Sequence, residues 1–306
     1  MPRARTGRNG RSGRSGRQGP AVAIVTDSTA YLPTGAAESL NIRVVPLQVI
    51  VGGLVRVEGT EIASDEVAAG LTRGQTVSTS RPSPSLFAAT YREAFAGGAK
   101  SIVSVHLSAA MSGTIDAARL AASDVGGDIR VVDSRSVAMG MGFAVLAAAQ
   151  VAAEAGSAGG VVDADAVVDA TSRTLEATQT FFYVDTLEFL RRGGRIGTAQ
   201  ALLGSALAVK PLLCVRDGRI QPLERVRTAT KAIARLEEIA VAAAGDDPVR
   251  VAVHHLQAQT RAETFAQALD LRLEKVEELT TSEVGAVVGA HTGPGMLGVV
   301  ICKPVL

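Results

Sequence analysis

Apolar residues along this chain fall into short runs separated by polar and glycine-rich turns. Val22 to Thr26, Ile42 to Leu47, Ser101 to His106 and Ile129 to Val132 are brief, rich in β-branched residues and bounded by turn formers, which predicts strands. Ser64 to Arg73, Ser83 to Ala96, Ser112 to Ala122 and Val137 to Glu154 read as helices between and after them. One hairpin breaks the order, where Leu47 to Val51 and Leu54 to Val57 flank Gly52-Gly53. Strand and helix in alternation predict a largely parallel sheet with helices on both faces.

Gly156-Ser157-Ala158-Gly159-Gly160 reads as a linker, after which Asp163 caps a helix through Ala177. Thr180 to Val184 is a strand candidate, and Val209 to Val215 with Arg219 to Arg225 form a hairpin around Asp217-Gly218. Helices follow at Thr228 to Ala244 and Thr260 to Leu271, with strands at Val249 to His254, Leu273 to Glu278 and Leu297 to Lys303. Hairpins mixed with helices predict a second α/β domain with a mixed or antiparallel sheet. The expected organisation is a tail over residues 1–19, an N-terminal α/β domain over 20–160 and a C-terminal α/β domain over 161–306.

Composition changes this picture in a few places. Residues 1–19 hold six arginines, five glycines and no acid, so they cannot bury a core and are expected to be disordered; they also lack the apolar segment of a signal peptide. Without those arginines the chain carries 25 basic and 30 acidic side chains, and a balance of −5 argues against nucleic-acid binding by the folded body. Cys214 and Cys302 lie in apolar strand-like runs and are expected as buried free thiols. His106, His254, His255 and His291 show no metal-ligand spacing. No apolar run reaches 18 residues, so no membrane span is expected.

The candidate chemistry lies where strands stop and helices start. Val103 to Leu107 is followed by Ser108-Ala109-Ala110-Met111-Ser112-Gly113-Thr114, a turn of small residues opening a helix with Ser112 or Thr114 at the cap. A hydroxyl there sits beside unpaired backbone N–H groups and the positive end of a helix dipole, which favour a carboxylate or phosphate. Thr26-Asp27-Ser28-Thr29 ends another strand in hydroxyls, and Thr79-Ser80-Arg81-Pro82-Ser83-Pro84 opens a helix with Ser83 as cap. His291-Thr292-Gly293-Pro294-Gly295 reads as a glycine-framed turn carrying an imidazole. Each hydroxyl is equally explained as a plain cap, and His291 as a turn residue. Gly193-Gly194-Arg195, after Arg191 and Arg192, is either a phosphate-binding surface or a helix C-terminus with complementary charge.

The order of these segments resembles the DegV family of bacterial fatty-acid-binding proteins. The matching pieces are Thr26-Asp27-Ser28-Thr29-Ala30, Thr79-Ser80 with Pro82-Ser83, Met111-Ser112-Gly113-Thr114, Val132-Asp133-Ser134, Asp185 to Gly197, and His291 to Gly295. The resemblance implies a cytoplasmic, non-enzymatic protein that encloses one long-chain fatty acid in an apolar tunnel between or beside the two domains, with no cofactor besides that ligand. It further implies a partner, the ATP-binding subunit of a fatty acid kinase, which turns the presented carboxylate into an acyl phosphate for phospholipid synthesis, and it leaves room for transient membrane contact. The family's carboxylate ligands map onto Thr79, Ser112 and His291. Ser28, Thr29, Ser80, Gly113, Thr114 and Gly293 fall in supporting loops, and Arg227 and Arg195 in the place of kinase or phosphate contacts. Tyr31 stands where an acid is common, Arg81 where Gln is frequent, and Ala109-Ala110-Met111 where serine and leucine are frequent.

A different class of reading makes Ser112 the nucleophile of a lipase or esterase, with His291 as base and Asp27 or Asp133 as orienter. No Gly-x-Ser-x-Gly elbow accompanies it. Gly140-Met141-Gly142 lacks the third glycine and the acid of a dinucleotide site and reads as helix-packing glycines.

Overall fold

The computed structural model describes residues 21–157, 163–202 and 210–304; the expected tail, the end of the linker and Val209 lie outside the described residues. In the first half the strands are β1 (Val22–Asp27), β2 (Ile42–Val45), β3 (Gln48–Val51), β4 (Leu54–Val57), β5 (Val77–Ser80), β6 (Ser101–His106) and β7 (Asp128–Asp133). The helices there are α1 (Ala36–Ser39), α2 (Ser64–Thr72), α3 (Pro84–Ala96), α4 (Thr114–Val125) and α5 (Met139–Ser157). The second half holds α6 (Ala164–Glu176), β8 (Thr178–Tyr183), α7 (Glu188–Arg192), β9 (Lys210–Arg216), β10 (Arg219–Val226) and α8 (Ala229–Ala244). It closes with β11 (Val249–His255), α9 (Gln259–Arg272), β12 (Val276–Glu283), α10 (Ala286–Thr292) and β13 (Leu297–Cys302).

Four strands form an all-parallel sheet in the order β2-β1-β6-β7. Alternation along β1 splits its side chains between two layers. Ala23 and Val25 pack with Phe87, Tyr91 and Ala118 of α3 and α4, whereas Val22 and Ile24 join Phe143 and Val145 of α5. The sheet is therefore covered on both faces.

The way the two halves meet depends on α5. Up to Ala149 its sequence is apolar around the whole circumference, which suits a helix buried on every side there, while Gln150 and Glu154 are exposed. It packs on β1 and β6 of the first sheet and on β8 and β13 of the second. Gly140 and Gly142 permit this approach: a Cβ at 142 would lie 2.8 Å from the Ala30 carbonyl, and one at 140 would meet the hydroxyls of Ser136 and Thr180. α6 runs along α5 and touches β6 and β7.

The second sheet runs β10-β9-β8-β13-β11-β12, antiparallel except for the pair β11 and β12. On one face Leu236 and Ala240 of α8 and Phe265 and Leu269 of α9 cover Tyr183, Leu212, Val251 and Val299. The other face turns Ala252, Val300 and Cys302 toward α5 and presents Phe182, Leu213 and Ile220 beside Leu190 and Met296. Cys214 and Cys302 are buried free thiols.

Several local expectations are corrected. The hairpin belongs to a third sheet, β4-β3-β5, whose last strand the pattern did not reveal. Val77-Ser78-Thr79-Ser80 is too polar to read as a strand, and pairing with β3 decides it. α10 was also unexpected: His291 lies in its last turn, and Gly293, at φ 72°, ends it. The strand expected over Leu273 to Glu278 is β12, shifted toward Glu283 because its polar residues sit at a sheet edge. Neither Ser112 nor Thr114 is the N-cap of α4; Gly113 is, without side-chain capping.

Helix propensity alone would make Gly142→Ala stabilising by about 1 kcal/mol. Contact with the Ala30 carbonyl should outweigh this and leave the variant about 1–3 kcal/mol less stable. Denaturant melts check the sign, and a midpoint at or above wild type would mean that α5 is not held so closely.

Candidate functional site

Thr79 on β5 and His291 on α10 are 212 residues apart in sequence, yet Thr79 Oγ1 and His291 Nε2 lie 2.9 Å apart. They border a cavity with about 920 Å³ of empty space, the open solvent at its mouth included. Leu47, Leu107, Phe182, Val215, Val288 and Val300 contribute to an apolar wall. Ser80, Arg81, Ser112 and Arg195 line it near Thr79 and His291. Contacts tie these groups into one cluster. Arg195 Nε donates to the Met111 carbonyl at 2.9 Å, and Arg81 Nη1 donates to the Gly113 carbonyl at 3.4 Å. The two guanidinium groups thus hold the carbonyls on either side of Ser112. Ser112 Oγ accepts the Thr114 N–H at 3.3 Å and lies 2.9 Å from Thr114 Oγ1.

His291 is closely framed. Its Nδ1 is shielded from solvent and has no hydrogen-bond partner among the described residues. The ring packs on Gly193, where any Cβ would overlap Nδ1. Burial, then the nearby Arg195 charge, push its pKa down to about 4, so the imidazole is neutral at pH 7. A second polar patch surrounds His254, which also lines the cavity. Its Nε2 accepts the Met139 N–H at 3.2 Å, so Nδ1 carries the proton and donates to Ser282 Oγ at 3.1 Å. Burial pushes this pKa to about 4 as well.

Behind the cavity a buried carboxylate fixes α10. Glu58 Oε1 accepts the Val287 N–H at 2.7 Å and the Tyr31 hydroxyl at 3.1 Å, and Oε2 accepts the Ser28 hydroxyl. Tyr31 Oη in turn accepts the Val288 N–H at 3.1 Å. Burial raises the Glu58 pKa in spite of these donors; burial followed by the Glu58 charge raises that of Tyr31. Ser28 Oγ also accepts the Leu47 N–H at 3.0 Å, steadying a residue of the cavity wall.

Of the residues singled out from sequence, Thr79, Ser80, Ser112, Arg195 and His291 line the cavity together. Ser28, Thr29, Gly113, Thr114 and Gly293 stand behind it: the Thr29 hydroxyl donates to Asp27 Oδ1 at 2.6 Å, and Gly293 packs on Phe189. Arg227 is exposed between β10 and α8, outside the lining. Glu58 escaped notice because nothing in Val57-Glu58-Gly59 distinguishes it from a turn residue. Arg81 and Tyr31 had a signal, as departures from the family pattern. His254 had only its position at the end of an apolar strand.

The hydrolase arrangement is not assembled. His291 Nε2 is engaged by Thr79, and Ser112 Oγ contacts Thr114. Asp27 Oδ2 is held by His106 Nδ1 and the Leu107 N–H, both at 3.0 Å, and Asp133 Oδ1 accepts the N–H groups of Ala109 and Arg135. A Ser–His–Asp chain does occur at Ser104, His106 and Asp27, with Tyr91 bonded to Ser104, but its side chains are completely buried and out of reach of any substrate.

A family model described as "Uncharacterised protein, DegV family" matches residues 21–304. The chain belongs to the DegV family. A DegV domain-containing protein of Streptomyces coelicolor is 56% identical over 280 residues, covering 92% of this chain and 98% of the relative. The structure of a DegV family protein from Thermus thermophilus, described for its fatty acid binding, is similar with a TM-score of 0.82 and 36% identity, covering 93% of this chain and 100% of that one. DegV of Bacillus subtilis, described as a fatty acid binding protein, gives 0.82 and 32%, with coverages of 94% and 100%.

The two shielded histidines make stability depend on pH with a definite sign. Folding lowers their pKa from 6.5 to about 4, so the unfolded chain binds more protons between those values. Their contribution is complete above pH 6.5 and is lost as the pH falls toward 4, at about 1.4 kcal/mol per unit of displacement for each. His291→Gln should therefore flatten the fall of unfolding free energy across this window, measured by denaturant melts; a slope equal to wild type would show that His291 is not shielded.

Proposed function

We propose that this protein binds one long-chain fatty acid in the cavity, holds its carboxylate in a clamp of Thr79 and Ser112 with His291 bonded behind Thr79, and presents it to the ATP-binding subunit of a fatty acid kinase. The acyl phosphate formed there feeds phospholipid synthesis, and catalysis belongs to the partner. The observation that carries this reading is a cluster of hydroxyl, imidazole and guanidinium groups beside the apolar wall of one cavity. The descriptions of the Thermus and Bacillus relatives support it.

Burying a carboxylate is expensive unless directed donors meet it. With Nδ1 of His291 unpartnered, the tautomer protonated on Nε2 strands an acceptor rather than a donor, the lesser cost. Nε2–H then donates to Thr79 Oγ1, which turns the threonine's own proton toward the ligand. Ser112 accepts the Thr114 N–H, and with the Thr114 hydroxyl donating across their 2.9 Å contact it likewise keeps its proton for the ligand. Arg195 adds charge behind them, and the alkyl chain supplies affinity at about 0.8 kcal/mol per buried CH₂. Ser28, Thr29, Ser80, Gly113, Thr114 and Gly293 keep these groups in place. Exposed Arg227, together with Arg195, offers the kinase a basic contact. The setting is the cytoplasm, with transient contact at the membrane where phospholipids are made.

Native mass spectra of the purified protein should show one bound fatty acid. Thr79→Val or Ser112→Ala should weaken palmitate binding roughly ten- to a hundredfold, and hexadecanol binding less. His291→Ala, which only loosens Thr79, should retain more lipid affinity but fail in acyl-phosphate formation with the kinase. Absence of bound lipid together with no binding of myristate, palmitate or stearate would sink the reading. Ser112-dependent hydrolysis of p-nitrophenyl esters would do so in favour of the esterase.

A further inference from the structure

We propose that Ser108 is a positioning residue for the headgroup: its hydroxyl, bonded to the Gly218 carbonyl, completes a ring of contacts that fixes Ser112 and Arg195 against the apolar wall. This assignment rests on the fatty-acid reading above and adds to it a residue outside the cavity lining.

Ser108 is buried, and each of its polar groups is engaged. Its N–H donates to the Ser136 carbonyl at 2.9 Å, and its carbonyl accepts the N–H groups of Met111 and Ser112, both at 3.0 Å. Its hydroxyl accepts the Ala110 N–H at 3.2 Å and donates to the Gly218 carbonyl at 2.7 Å, 110 residues away. One hydroxyl can do both, since it carries a donor as well as acceptor sites. The backbone of Ser108 thus shapes the turn that carries Ser112, while its side chain ties that turn to the second half of the chain.

Gly218 lies at the tip of the β9–β10 hairpin, on the edge of the second sheet. Val215 and Ile220 are paired directly across this hairpin and both line the cavity, so the tip lies just beyond a pair of wall residues. From there contacts lead back to the headgroup. The Ile220 carbonyl packs on Gly197, where any Cβ would overlap it. Two residues earlier, Arg195 lines the cavity and its Nε donates to the Met111 carbonyl at 2.9 Å. The Met111 N–H in turn donates to Ser108, and the ring is complete. At the tip, Gly218 has a left-handed φ of 73°, and a Cβ there would lie 2.6 Å from Ser108 Oγ, so glycine lets the hydroxyl reach the carbonyl. Arg135 and Asp217 form an ion pair beside it at 2.9 Å, but their side chains are 61% and 68% exposed, where solvent weakens the attraction. Gly218 is buried, so its carbonyl loses more when its donor is removed.

Calorimetry on the intact chain with palmitate and hexadecanol tests this in wild type, Ser108→Ala, Gly218→Ala, the double variant and Asp217→Asn. Ser108→Ala should weaken palmitate about tenfold and hexadecanol less than about threefold, because a displaced Ser112 costs an ionised head more than a neutral one. A purely structural loss would weaken both alike. Gly218→Ala should lower the preference for palmitate by a similar factor, and the double variant no further than either single one, since both changes open the same contact. Asp217→Asn removes the ion pair and suits the left-handed φ of 54°, so it should keep the wild-type preference. A preference unchanged in Ser108→Ala, losses that multiply in the double variant, or an equal loss in Asp217→Asn would overturn the proposal, while wild-type preference for palmitate keeps the fatty-acid reading. If Ser108→Ala does not fold, an unchanged preference in Gly218→Ala overturns it. Wild type that binds neither ligand, or both equally, would remove the headgroup clamp and this proposal with it.

Discussion

One buried carboxylate sets the geometry on which the candidate site depends. Glu58 accepts from Ser28 and Tyr31 of the first half and from the Val287 N–H at the start of α10, 229 residues away. Desolvation works against its charge, and its raised pKa records that the three donors do not fully offset the cost. Breaking one of these bonds would leave a buried polar group unsatisfied, so the arrangement resists partial loosening. Because α10 carries His291 at its other end, the contact that holds Val287 also places His291 opposite Thr79. Ser28 extends the same network to Leu47 in the cavity wall.

The cavity lies beside the start of the helix that packs between the two sheets. α5 packs through glycine and alanine near its start, and its apolar side chains occupy the layer between β1 and the second sheet. Beyond the start of α5, at Val137 and Ala138, the facing strands present Thr180, Phe182 and Val300 to empty space. Close packing and a void are thus neighbours, and the glycines permit the close packing.

Chemistry at the mouth depends on surroundings more than on residue type. His106 is hydrogen-bonded to a serine and an aspartate in the manner of a catalytic triad, yet complete burial makes it a structural group. Among the described residues His291 has no carboxylate partner and its Nε2 is bonded to Thr79, yet it borders the cavity. The loop after α7 divides its duties similarly. Arg191 and Arg192 pair with Glu188, as expected of a helix C-terminus, while Gly193 makes room for the His291 ring and Arg195 turns into the cavity.

Linear pattern by itself determined the alternating strands and helices, the parallel sheet covered on both faces, the mixed second sheet, the burial of both cysteines and the hydroxyl-bearing segments around Thr79 and Ser112. These properties repeat at short range, since a side chain's face follows from its neighbours two to four positions away. Tertiary structure alone decided that Val77 to Ser80 is a strand, because its polar residues become one only by pairing with β3. It also decided that His291 ends a helix, that Asp27 serves His106 rather than His291, and that Glu58 holds α10. Each of these depends on hydrogen bonds between groups far apart in sequence, and no local period records which distant partner will satisfy a buried polar atom.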